Sequence, residues 1–264
     1  VGSALVAQLA GAGAHVRALS RTPRNIPGVE SVVGDLNRPA TFADALAGVR
    51  GLFLLPGYDD LPGLLALAVK AGVERVVLMS GGSAATGDLD NAVAAYMIHS
   101  ERAVQQSGLG WTLVRPGAFM SNALRWLPQL NASNFVRVPF PTVRVAPIDP
   151  YDIAAVAAQA LLNSGHEGRI YPVSGPQSLL PEEQITILGE VLDRPLRCLG
   201  LTDYEARAEM EATMPMEYVD AFFSFYVDGT LDESQVLPTV EQVTGHPPRT
   251  FAEWAREHAA EFRA

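Results

Sequence analysis

Two arginines at one turn, Arg21 and Arg24, carry the most direct chemical signal in the chain. They follow Ser20 in the string Ser20-Arg21-Thr22-Pro23-Arg24, and no Asp or Glu stands at that tip. Guanidinium groups suit phosphate oxygens because their planar donors match the anion's fork. A second signal is Asp35-Leu36, just after Gly34. An aspartate there can bond a purine amino group while the leucine packs on the ring, or it can cap the next turn; both readings stand. Ser80-Gly81-Gly82-Ser83 pairs hydroxyls with uncovered backbone, which fits phosphate or nicotinamide contacts and also fits a plain turn. Leu55-Pro56-Gly57 and Pro116-Gly117, with Phe119 beyond, complete the set.

Other chemistries are poorly supplied. His15, His99, His166, His246 and His258 have no metal-ligand spacing, so no metal is expected. Gly-x-Ser-x-Gly is absent, which removes the hydrolase elbow. Cys198 is the only cysteine, so no disulfide can form within the chain, and a reduced, cytoplasmic setting is expected. Lys70 is the only lysine among 19 basic residues. A net charge of −10 argues against unaided binding to nucleic acid or anionic membrane. No apolar run approaches the ~18 residues of a membrane span.

The chemical residues gain meaning from the elements that must carry them. Leu5, Val6, Leu9 and Ala10 recur at helical spacing, and Gly11 and Gly13 end that helix. His15–Leu19 alternates like a strand. Val29–Val33 predicts a strand, 41–46 a short helix, and Gly51–Leu55 a strand buried on both faces. The pattern continues with helix 61–71, strand 75–79, helix 92–106 and strand 111–114. Strands alternating with helices predict a parallel sheet covered on both faces, whose ligand lies at the carboxyl ends of the strands. Every group named above stands at such an end.

Further on, the sequence predicts helix 119–130, strand 143–148, a helix from Asp149-Pro150 to Leu162 and strand 170–173. Helices are expected at 181–192, 203–212, 216–225, 233–243 and 251–262. Tyr204, Met210, Met214, Met216, Tyr218, Phe222, Phe223, Phe225 and Tyr226 crowd this region. They form either its core or the wall of an apolar pocket. The fold class expected is α/β. A Rossmann-like doubly wound parallel sheet occupies residues 1–175, and a smaller, mostly helical substrate lobe occupies 176–264.

Within such a sheet the helix at residues 2–11 leads into the second strand. Gly2 then stands where the last glycine of a phosphate-binding loop belongs, at a close approach of helix to sheet. The first strand and its glycine turn are expected before Val1, roughly ten residues in all. At the end of the second strand an acidic residue would accept from ribose hydroxyls, whereas arginine accommodates a 2′-phosphate. Ser20-Arg21 therefore favours NADP(H) over NAD(H).

Several strings together resemble the NmrA-like branch of the atypical short-chain dehydrogenases/reductases. They are Gly2 at its helix start, Ser20 to Arg24, Gly34-Asp35-Leu36, Val76 to Ser80 and Ser100-Glu101 followed by Ser107-Gly108. The longest runs from Trp111 through Arg115-Pro116-Gly117 to Asn122, and Thr244 to Trp254 adds a C-terminal match. The resemblance implies a Rossmann fold with a small substrate lobe and bound NADP(H). It also implies one of two roles. Some relatives reduce quinones or similar acceptors; others bind the cofactor without catalysis, as redox sensors acting through a protein partner.

The chain departs from the catalytic short-chain pattern. Those enzymes use Tyr-x-x-x-Lys, and no tyrosine here has a lysine four residues on. Tyr96 is on the matching helix but is followed at that spacing by Ser100, and the resemblance places Met97 where the lysine would be. Methionine cannot stabilise a phenolate. No catalytic residue is assigned, and Tyr96 is the one candidate. The cofactor set expected is Gly2, Ser20, Arg21, Arg24, Asp35, Leu36, Leu55, Pro56, Ser80, Gly81, Met97, Pro116, Gly117 and Phe119. The leading expectation is an NADP(H)-dependent oxidoreductase passing hydride to a small acceptor such as a quinone, which could take its proton from water. The alternative is the non-catalytic sensor.

Overall fold

The run Val76-Val77-Leu78 is apolar throughout because its side chains enter two different cores. Val76 and Leu78 pack with Leu54, Leu64 and Leu113, whereas Val77 packs with Val114, Ile153 and Val156 on the opposite face. Successive strand side chains alternate in direction, so a strand covered on both sides needs no polar positions. The computed structural model describes residues 1–263.

Helix α1 (Gly2–Gly11) opens the chain and turns out through Gly13, whose φ of 78° suits glycine. Strand β1 (Arg17–Ser20) pairs in parallel with β2 (Glu30–Val33). Strand β3 (Gly51–Leu54), helix α2 (Leu61–Lys70), strand β4 (Arg75–Met79), helix α3 (Ala92–Gln105) and strand β5 (Gly110–Pro116) follow. Helix α4 (Leu127–Ala132) and strand β6 (Phe135–Val138) precede helix α5 (Pro150–Leu162) and strand β7 (Arg169–Val173). A four-stranded parallel sheet has the order β3-β4-β5-β7, and β1-β2 forms a separate pair. The two sheets share cores: Leu19 and Val32 pack on the Leu54 side, while α1 contributes Leu5 to the Val77 side.

The rest of the chain holds helix α6 (Pro181–Leu192), strand β8 (Arg197–Gly200) and helices α7 (Asp203–Glu211), α8 (Met216–Tyr226), α9 (Thr239–Thr244) and α10 (Phe251–Glu257). Its core joins Met120, Leu130, Val136 and Val138 to Ile185, Leu188, Phe251 and Trp254. The lobe expected from residue 176 thus draws on residues 120–138 as well. Among the described residues, five helices and one short strand, β8, lie within 176–264, and β8 pairs in parallel with β6. Helix α9 returns the other way, seating Val240 beside α5 and β7.

Local departures from the sequence reading have local causes. The helix expected at 41–46 is two 3-10 turns, 39–41 and 43–46. Phe42 interrupts them with φ −137° while burying its ring in the core. The helix expected from Phe119 starts as a 3-10 segment, 120–126, and becomes α-helical only around Pro128, which has no N–H to give to the preceding turn. The strand expected at 143–148 is absent. Val145 makes one bridge to Leu179 and Ile148 one to Phe119, and Pro147 between them cannot donate. The helix expected from Glu233 begins only at Thr239, after Pro238. The last helix ends at Glu257. Strands β6 and β8 span four residues each, too few to set a period.

Candidate active site

The ends of β3, β4 and β5 open on one cavity of about 420 Å³. Leu55 and Pro56 follow β3, Ser80 to Ser83 follow β4, and Pro116 and Gly117 end β5, with Phe119 just beyond. Helix α3 adds Val93, Tyr96 and Met97, and α8 closes the far side with Phe222, Phe225 and Tyr226. Leu231 and Glu233 complete the wall. The volume and apolar lining suit a small organic ring system.

Glycine lets these walls approach. A Cβ on Gly81 would stand 3.1 Å from Met97 Cε, and one on Gly117 would stand 3.3 Å from a Glu233 carboxyl oxygen. Tyr96 is set by Ser100, whose hydroxyl donates to the Tyr96 carbonyl at 2.8 Å and accepts from Gly57 N–H at 3.1 Å. Burial, and then the neighbouring Tyr218, raise the Tyr96 pKa. Its phenol is therefore a poorer acid than a free tyrosine, the opposite of what an adjacent lysine would do.

Ser80 is buried, 2% exposed, and its Oγ has no hydrogen-bond partner. An unpaired buried hydroxyl is costly, about 1–3 kcal/mol, so one facing a cleft is a natural contact for a ligand.

Glu233 brings a carboxyl group to the cavity wall. Its Oε2 accepts from Tyr226 Oη at 2.7 Å. Burial raises its pKa, Asp232 adds to the rise, and the Tyr226 bond partly offsets it. Tyr226 is raised for the same first reason, burial, and then by Glu233.

Leu55, Pro56, Ser80, Gly81, Tyr96, Met97, Pro116, Gly117 and Phe119, named from sequence, all line this cavity. Gly2, Ser20, Arg21, Arg24, Asp35 and Leu36 do not. Ser20 Oγ donates to Thr22 O at 2.5 Å. Arg21 and Arg24 are exposed and make no ion pair among the described residues. Asp35 caps its own turn: it accepts from Asn37 N–H at 3.0 Å and pairs with Arg38 at 3.4 Å. Leu36 packs on the first core. The close packing expected at Gly2 is not found, since a Cβ there would meet nothing within 4 Å. The N-cap position of α1 is Val1, whose side chain makes no capping bond.

Sequence alone leaves Phe222, Phe225 and Tyr226 open between core and pocket, and the structure gives them both places: they pack with Ala94 and Ile98 and also line the cavity. Sequence reasoning missed Glu233 by reading residues 233–243 as one helix. Gly229 and Pro238, which bracket that stretch, were the available signs of a loop.

The NAD(P)H-binding family matches residues 1–164. The chain is 39% identical to a (4-alkanoyl-5-oxo-2,5-dihydrofuran-3-yl)methyl phosphate reductase of Streptomyces griseus, over 99% of this chain and 95% of that one. It is also 39% identical to an NAD(P)H azoreductase of Xenophilus azovorans, over 91% of this chain and 86% of that one. Among solved structures, an NADPH-dependent quinone oxidoreductase from Escherichia coli, complexed with NADPH, superposes with a TM-score of 0.77 at 20% identity, covering 97% of this chain and 95% of its own. That likeness is one of fold. The residues present fit a dinucleotide: the orphaned Ser80 hydroxyl and the glycine-lined strand ends at Gly81, Gly82 and Gly117. The chain belongs to the NAD(P)H-binding family.

Proposed function

We propose that this chain is an NADPH-dependent reductase of a small conjugated acceptor, such as a quinone or an azo compound. One observation carries the reading: glycine-lined strand ends with an unpaired Ser80 hydroxyl face an aromatic wall from α8 across about 420 Å³. When bound, the reduced nicotinamide supplies two electrons and a proton as hydride. Arg21 and Arg24 would hold the 2′-phosphate, the α1 N-terminus would hold the pyrophosphate, and Ser80, Gly81, Met97, Pro116 and Gly117 would border the nicotinamide. Phe119, Phe222 and Phe225 exclude water and stack the acceptor. The reductases named above, at 39% identity, support the reaction class.

The test is NADPH oxidation with a panel of quinones and azo dyes, alongside NADPH binding by fluorescence. Acceptor-dependent oxidation supports the reductase. Tight binding with no turnover supports the sensor that works through a protein partner.

A further inference from the structure

We propose that Glu233 is the proton donor of this site, its Oε1 delivering a proton to the acceptor atom that gains electron density on reduction. This rests on the reductase reading and deepens it, since the chain lacks the Tyr-x-x-x-Lys acid.

Glu233 is held in place from several sides. Its carbonyl accepts Ala146 N–H at 2.6 Å, and Leu237 N–H, four residues on, donates to Ser174 Oγ at 2.8 Å. The carboxyl itself is oriented by Tyr226, which donates to Oε2 at 2.7 Å. Oε1 has no hydrogen-bond partner among the described residues. It stands over the ends of β4 and β5, 3.8 Å and 3.3 Å from where a Cβ on Gly82 or Gly117 would lie. Glycine at both positions leaves that oxygen open to the cavity.

The surroundings favour the neutral form of the carboxyl. Phe225 and Leu231 line the cavity beside it, and no cation pairs with it among the described residues. Asp232 is the chain neighbour of Glu233 and raises its pKa, Tyr226 faces it from α8, and Arg125 acts on Tyr226 from the 120–126 turn. Arg144 and Glu182 line an adjoining cavity with the pair, and Arg144 is itself paired with Glu183. Burial dominates, as in other carboxyls that serve as acids near neutral pH. Because Tyr226 donates to Oε2, the proton of the neutral acid belongs on Oε1, the atom that faces the cavity. Tyr226 has its own proton committed to Glu233 and is a positioning residue.

The step balances. The acceptor is reduced by two electrons, which arrive with one proton as hydride from reduced nicotinamide. The Oε1–H bond then breaks and a new O–H or N–H bond forms on the acceptor. The Glu233 carboxylate left behind regains its proton from solvent.

The test uses Glu233→Gln, which keeps the acceptor for Tyr226 but has no proton to give, with Glu233→Asp as a second variant. Infrared difference spectra of parent against Glu233→Gln, at neutral pH without cofactor, should show the C=O stretch of a neutral carboxyl that vanishes in alkali. With quinone as acceptor, kcat should fall about a hundredfold in Glu233→Gln and be partly rescued in Glu233→Asp, with NADPH affinity little changed. The parent should lose kcat in alkali, and Glu233→Gln should not. A parent without the neutral-carboxyl band overturns the proposal whatever its turnover. Turnover in Glu233→Gln within about threefold of the parent overturns it and leaves the reductase reading intact. A parent that shows the band but reduces no acceptor overturns both.

Discussion

Arg115 on β5 holds Glu101 on α3 with two parallel bonds, Nε to Oε1 at 2.8 Å and Nη2 to Oε2 at 2.5 Å. Both side chains are largely buried, 18% and 6% exposed. The pair fixes α3, which carries Tyr96 and Met97, against the strand that ends in Pro116-Gly117. Two walls of the cavity are thereby set relative to each other.

Removing one partner should expose the cost of the other's charge. Arg115→Met leaves Glu101 buried and unpaired and should destabilise the protein by about 3–5 kcal/mol. The double variant Arg115→Met/Glu101→Gln should recover part of that loss. Urea unfolding measures both, and a single-variant loss below ~1 kcal/mol would contradict the role given to the pair.

Cofactor choice is assigned to the β1 tip. NADPH should bind more tightly than NADH, and Arg21→Glu should narrow or reverse the gap by losing a charge-assisted phosphate contact of roughly 1.5–3 kcal/mol. Equal affinities in the parent would sink this assignment.

Tyr96 lines the cavity, yet its acidity is weakened by burial rather than strengthened by a lysine. Tyr96→Phe should leave reductase activity within about tenfold, a barrier change of ~1.4 kcal/mol. A loss of about a thousandfold with the fold intact would return the proton to Tyr96.

Stability should carry a pH signature from Asp152. Burial raises its pKa to about 6, outweighing the bond it accepts from Arg249 N–H at 2.8 Å. The folded state binds this proton more tightly than the unfolded state. Stability from this group is therefore full below its ordinary value of 3.8 and lost as pH rises through about 6. Asp152→Asn removes the loss. Above pH 6 it should be more stable than the parent by about 1–3 kcal/mol, with little difference at pH 4. Thermal melts across that range decide it, and a parent that stays the more stable at neutral pH contradicts the assignment.

What was legible in the sequence follows from period and punctuation. β4 falls at the predicted residues because a short apolar run stops at Ser80-Gly81, and α6 because Ile185, Leu188 and Leu192 recur at helical spacing after Pro181. The strand-end groups from Leu55 to Phe119 could be placed because a parallel sheet brings strand ends together. Asp35 cannot be separated from a turn cap by sequence, since the same carboxylate serves both; in the structure it accepts from Asn37 N–H in its own turn. Glu233 was hidden for a different reason. Its value lies in a contact with Tyr226 and in glycines more than a hundred residues away, and nothing in its own neighbourhood records that.

Reduction of a small acceptor at the expense of NADPH is measured most directly by steady-state oxidation of NADPH by the purified chain, followed by absorbance, with and without a quinone or an azo dye. Oxidation that depends on the acceptor, saturates with it and is faster with NADPH than with NADH is the expected result. NADPH bound tightly, with no acceptor-dependent oxidation across the panel, would contradict the claim.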